Sequence, residues 1–104
     1  MNDRILTLMQ FARKAGKLVS GMDACERALN HQIIKLLIVA EDSSERTKAT
    51  LKSKLGSLVH PVKLIQTGTQ QELSNALGLP LTGIFGISDK NFAAKILEYW
   101  QAEA

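Results

Sequence analysis

The sequence predicts an α/β protein: a three-layer α/β/α sandwich with a central four-stranded mixed sheet and about five helices. Three observations carry this expectation. Segments with apolar residues at helical spacing alternate with short continuous apolar runs along all 104 residues. One run, Leu36-Leu37-Ile38-Val39-Ala40, is apolar on both alternating faces, as in a strand covered on two sides. Helices recurring between such strands must lie on both faces of one sheet. No linker, repeat or low-complexity stretch interrupts the pattern, so residues 1–104 read as a single domain.

The first helix has Ile5, Leu8, Met9 and Ala12 as its apolar stripe, with Asn2 or Asp3 as cap and Gly16 as stop. Lys17-Leu18-Val19-Ser20 is a short strand, and a helix opening at about Gly21 buries Ala24, Cys25, Ala28 and Leu29. After the strand at 36–40, Asp42-Ser43-Ser44-Glu45 has capping-box spacing with Asp42 in the cap position. The third helix therefore starts there and stops near Gly56. Pro61 opens a strand over Val62-Lys63-Leu64-Ile65-Gln66. Thr69-Gln70-Gln71-Glu72 is a second capping box, heading a short helix that ends at Gly78. Gly83-Ile84-Phe85-Gly86-Ile87 is the fourth strand, and Phe92, Ala93, Ile96, Leu97 and Trp100 share one face of the last helix.

Composition narrows the class. With 45% apolar residues and a mean hydropathy of −0.01, the chain can build a core and is not a disordered polymer. Its longest apolar run is far short of the roughly 20 residues a membrane helix needs. The polar start Met1-Asn2-Asp3-Arg4 lacks the apolar stretch of a signal peptide. Cys25 is the single cysteine, which excludes an internal disulfide and a zinc cluster. The expected protein is cytoplasmic, soluble and monomeric. Its net charge of +3 is unevenly placed: residues 1–60 carry ten Lys/Arg against six Asp/Glu, and residues 61–104 three against four. That asymmetry suggests an anionic partner without choosing among nucleic acid, lipid and acidic protein.

Catalysis finds little support. Cys25 with His31 or His60 could form a thiolate–imidazole pair, but Cys25 shares an apolar face with Ala28 and Leu29 and reads as core. The two histidines are isolated, and no phosphate-binding or nucleophile-elbow glycine motif is present. No enzyme activity, metal or cofactor is expected. Glu41-Asp42 follows an apolar strand, where an open α/β sheet places ligand-binding residues. A receiver-type phosphoacceptor would want an acidic pair after the first strand too, and residues 17–21 supply none. Asp42 therefore reads as a helix cap contributing about 1 kcal/mol.

The segment from Ala15 to Arg27 is the most informative. A strand runs into Gly21, which opens a helix and so presents free N–H groups to an anion such as phosphate. Asp23 lies on the first turn and Arg27 follows four residues later on the same face. Two readings stand: polar side chains set against base edges in a distorted RNA groove, or an i,i+4 surface pair contributing about 0.3–0.5 kcal/mol.

Three stretches resemble one family: Phe11-Ala12-Arg13-Lys14-Ala15-Gly16-Lys17-Leu18-Val19-Ser20-Gly21, residues 37–48 (LIVAEDSSERTK), and Pro61-Val62-Lys63-Leu64-Ile65. Residues 72–78 and 88–93 fit as well, so the resemblance spans essentially the whole chain. The family is the kink-turn RNA-binding ribosomal protein family, which contains large-subunit proteins seven-Ae and thirty-e. Within it the sequence is most similar to the bacterial YlxQ-type branch. The resemblance implies a three-layer α/β/α fold, no enzyme activity, and binding of a structured RNA, usually a sharply bent kink-turn, in a ribosome or another ribonucleoprotein.

The family's recognition pattern, Gly-x-Asn-Glu-x-x-Lys, matches Gly21-Met22-Asp23-Ala24-Cys25-Glu26-Arg27. Gly21 is kept and Arg27 keeps a cation, whereas Asp23 replaces asparagine and Ala24 replaces glutamate. Ionised Asp only accepts hydrogen bonds, and Ala makes none through its side chain. Two further loops of the family approach RNA. One matches Glu41-Asp42-Ser43; the other matches Leu79-Pro80-Leu81-Thr82, where Leu79 and Leu81 either pack on an extruded base or anchor the loop on the core. Lys17, together with Lys14 and Lys35, is expected to meet phosphates, and Lys48, Lys52 and Lys54 read as a solvated helix face or a secondary nonspecific surface. The competing expectation is a protein-interaction adaptor that keeps the fold without specific RNA recognition. A phosphate-binding enzyme centred on Asp42 is the weakest reading, since no acid, nucleophile or metal cluster accompanies it.

Overall fold

The computed structural model describes residues 2–103. Its elements run in the order α1 (Asp3–Lys14), β1 (Leu18–Ser20), α2 (Met22–Asn30), β2 (Leu36–Val39), α3 (Glu45–Gly56), β3 (Lys63–Gln66), α4 (Gln70–Leu77), β4 (Ile84–Ile87) and α5 (Lys90–Ala102). All four strands join one sheet in the order β1-β4-β2-β3. β2 and β3 are parallel, with α3 as their crossover, while β4 runs antiparallel to both β1 and β2. The expected mixed sheet with five helices is therefore what the chain adopts.

The alternation of side chains along the strands divides the core. Leu36, Ile38 and Ala40 from the β2 segment, with Phe85 and Ile87 of β4, pack against Ile5, Met9 and Ala12 of α1, Leu73 and Leu77 of α4, and Ala93 and Ile96 of α5. Leu37 and Val39 face the other way, onto Cys25 of α2 and Leu51 of α3. The sheet is thus covered by α1, α4 and α5 on one face and by α2 and α3 on the other. This is why all of β2 and β4 is buried.

The helix ends follow local chemistry, with one correction. Asn2 caps α1 through Oδ1, which accepts from the Arg4 N–H at 2.9 Å. The Thr69/Glu72 capping box forms in both directions, each bond 3.1 Å long. Asp42 is not the cap of α3. Ser44 is, its Oγ accepting from the Thr47 N–H at 3.1 Å, and the helix begins at Glu45. Ala24 is half-buried rather than core, because α2 turns Cys25, Ala28 and Leu29 onto the sheet. In α5, Ala93 and Ile96 are fully covered, and Phe92, Leu97 and Trp100 pack at the core margin. The indole N–H of Trp100 donates to the Gln66 carbonyl at 3.1 Å.

Candidate nucleic-acid interface

Because β4 opposes the other three strands, the ends of β1, β2 and β3 and the start of β4 share one edge. Four connections meet there: Gly21 after β1, residues 40–44 after β2, residues 67–69 after β3, and residues 79–83 before β4. Backbone hydrogen bonds join them. The Gly21 N–H donates to the Ile84 carbonyl at 2.9 Å, the Ala40 N–H to Gly83 at 2.8 Å, and the Glu41 N–H to Gly68 at 2.8 Å. A Cβ at Gly83 would lie 2.5 Å from Ser43 Oγ and 2.9 Å from Gln70 Cγ, so this crossing requires glycine.

Gly21 is the N-cap of α2 at φ +91°, a conformation open to glycine, and no side chain caps the first turn. The N–H groups at the head of α2 are thus left without a side-chain cap beside the edge. Asp23 and Arg27 are both exposed on this helix, and among the described residues no ion pair joins them. The surface-pair reading of these two residues is therefore not realised.

Asp42 holds a different helix from the one its sequence context suggests. Its Oδ1 accepts from the Gln70 N–H at 2.9 Å, at the first residue of α4, and its carbonyl accepts from the Gln70 side-chain amide at 3.3 Å. Glu41 is exposed, but its carbonyl accepts from Lys48 Nζ at 2.8 Å. Lys48 is accordingly no free solvated cation: its side chain is only 12% exposed and braces the loop. The 79–82 loop is held by Ser74, whose hydroxyl donates to the Thr82 carbonyl and accepts the Thr82 N–H, both at 2.9 Å. Leu79 packs against the core and so anchors the loop, whereas Leu81 is 66% exposed at its tip.

Lys17 does not join this group. It precedes β1, and its carbonyl accepts from the Ser88 N–H at 2.9 Å, at the opposite end of the sheet. Strands of this length separate the two ends by about 13 Å. Of the expected site residues, the structure gathers Gly21, Asp23, Glu41, Asp42, Leu79 and Leu81 around one edge, sets Arg27 in the last turn of α2, and leaves Lys17 at the opposite end. Lys48, Gln70 and Ser74 shape the edge without any local motif that marks them; only the Thr69/Glu72 box hinted that a helix starts beside it.

Cys25 is fully buried and its thiol is pushed up to about 12 by burial, so it stays protonated and unreactive at neutral pH. Among the described residues no group of three or more His, Cys, Asp or Glu could hold a metal ion, and no helix is long and apolar enough to cross a membrane.

The model of the ribosomal protein L7Ae/L30e/S12e/Gadd45 family matches residues 3–97. The chain belongs to that family. Among L7Ae-family relatives, the RNA-binding protein YlxQ of Enterococcus faecium is 32% identical over 95 residues, covering 91% of this chain and 89% of that protein. The RNA-binding protein YlxQ of Bacillus subtilis (strain 168) is 26% identical over 90 residues, covering 86% and 88%. A solved structure of a protein with unknown function from Bacillus halodurans superposes with a TM-score of 0.85 at 26% identity, over 93% of this chain and 96% of that one. The Giardia lamblia 15.5kD RNA binding protein shares the fold, with a TM-score of 0.76 at 17% identity, over 100% and 93%.

Proposed function

We propose that this L7Ae-family chain is a non-enzymatic, cytoplasmic RNA-binding protein that recognises a structured, kink-turn-like RNA, as a monomer and in association with the ribosome. The observation that carries the reading is the edge itself. Four interlocked loops surround Gly21, whose positive φ leaves the head of α2 open, with Asp23 on the first turn, Arg27 one turn beyond Asp23, and Leu81 projecting nearby. Such an edge can offer N–H groups to a backbone, polar side chains to base edges and an apolar contact to an unstacked base. The YlxQ relatives, named as RNA-binding proteins, support the partner class.

The test is a fluorescence titration against a kink-turn RNA and a fully paired duplex of equal length, at two salt concentrations. Preference for the kink-turn that disappears in Arg27→Ala is the expected result. Equal, salt-sensitive binding to both RNAs would refute shape-specific recognition.

One observation favours a second reading, a protein-interaction adaptor. Asp23, Glu41, Asp42, Glu45 and Glu72 all stand exposed on or beside this edge, against the exposed cations Arg27 and Arg46. A stable protein partner recovered after nuclease treatment would support the adaptor.

A further inference from the structure

The end of the sheet opposite this edge has the reverse charge. Its turns and strand ends, residues 14–17, 30–35, 57–63 and 88–91, contain Lys14, Lys17, Lys35, Lys63 and Lys90 and a single carboxylate, Asp89. These lysines are scattered through the sequence, and topology brings them together. Lys17 leads into β1, Lys35 into β2 and Lys63 opens β3, while Lys90 follows β4. With strand positions about 4.8 Å apart, the row crosses the width of the sheet, about 15 Å. Lys35, Lys63 and Lys90 line one hollow of about 190 Å³, and Lys35 also borders a cleft of about 350 Å³ with Lys54 and His60.

Among the described residues no ion pair neutralises the row. All five lysines are exposed, and among the described residues the ion pairs join other lysines, Lys48 to Glu45 and Lys95 to Glu98. Asp89 is occupied as the cap of α5, its Oδ2 accepting from the Phe92 N–H at 2.9 Å. The five cations of the row are mobile ammonium groups, which attract phosphates as point charges and lack the rigid guanidinium fork that reads a base. That chemistry suits a run of phosphates rather than a base sequence.

We propose that this lysine row is a second RNA-contact surface, which holds the phosphate backbone of a paired stem without sequence preference while the opposite edge engages the bent element. The inference rests on the RNA-binding reading and assigns the two ends of the sheet different tasks: the acidic edge discriminates shape, and the lysine end supplies the electrostatic attraction.

The experiment compares the native chain, Lys35→Gln/Lys63→Gln/Lys90→Gln and Lys95→Gln, each with its fold verified by thermal melting. The probe is a paired RNA duplex without a kink, titrated between 50 and 200 mM salt. Three lost phosphate contacts should lower the magnitude of the log–log salt slope by about 2–3, at about 0.7–0.9 per contact. Lys95→Gln, which removes a lysine outside the row that is paired with Glu98, should leave that slope unchanged. An unaltered slope in the lysine variant, or absence of duplex binding by the native chain, overturns the inference. So would vesicles containing phosphatidylserine displacing the duplex as well as unlabelled RNA does, which would move the surface to lipid. Loss of kink-turn preference with the lysine effect intact would instead remove the shape-recognition reading alone.

Discussion

The Asp42 carboxylate accepts the Gln70 backbone N–H at 2.9 Å, closing a loop of 28 residues. The connection after β2 is thereby fixed to the first turn of α4, and Gln70 returns a bond from its side chain to the Asp42 carbonyl. A helix of eight residues is too short to persist by propensity, so its start must be held from outside. Asp42 and the Thr69/Glu72 box together satisfy donors that α4 cannot satisfy itself. The same carboxylate places negative charge at the positive end of the helix dipole.

Asp42→Ala should lower stability by about 1 kcal/mol, the usual effect of losing a capping oxygen. Asp42→Asn keeps an acceptor and should lose less. Urea unfolding gives the magnitude, and amide hydrogen exchange gives the location. Exchange should quicken at Gln70 and stay unchanged at Thr47, which Ser44 holds. Quickening at Thr47 instead would return Asp42 to the α3 cap.

Ser74 is 2% exposed and satisfies both backbone groups of Thr82 with one hydroxyl. Ser74→Ala leaves the part-buried Thr82 N–H and carbonyl without their partner, at a cost of about 1–3 kcal/mol. Because this bond orders the loop that displays Leu81, the variant should also lose discrimination between bent and straight RNA under conditions where it remains folded. Urea unfolding and paired titrations separate the two effects. A Ser74→Ala protein of unchanged stability would mean the hydroxyl does not hold the loop.

What was legible in the sequence was local. Residues 36–40 announced a doubly covered strand because apolar side chains alternate to both faces, and Thr69/Glu72 announced a helix start because its partners are three residues apart. Asp42 misleads for the same reason: its spacing to Glu45 imitates a capping box, but Ser44 lies next to the helix and Asp42 is aimed at a segment 28 residues away. The grouping of Gly21, Glu41 and Leu81 came from the family resemblance, and its physical cause is the reversed direction of β4. Lys17 illustrates the converse. Four residues before Gly21 in the chain, it sits at the other end of a strand, and its neighbours there are lysines from elements far apart in sequence.

Cys25 gives a prediction in pH. Burial raises its thiol from 9.0 to about 12, so the native state keeps the proton over a range in which the unfolded chain loses it. The unfolded state then binds fewer protons than the native state, and stability falls as pH rises. The contribution is fully present below pH 9 and declines between about 9 and 12, by up to about 1.4 kcal/mol per pH unit. Cys25→Ala removes the titration at the cost of a small cavity, so it should be less stable at pH 7 but show a shallower decline above pH 9. Urea unfolding of both proteins from pH 7 to 11 measures the difference, with the other alkaline titrations common to both. A thiol reagent at pH 7 should likewise label Cys25 only on unfolding. Rapid labelling of the folded protein, or parallel stability curves above pH 9, would show that the thiol is less shielded than its packing against Val19 and Leu37 indicates.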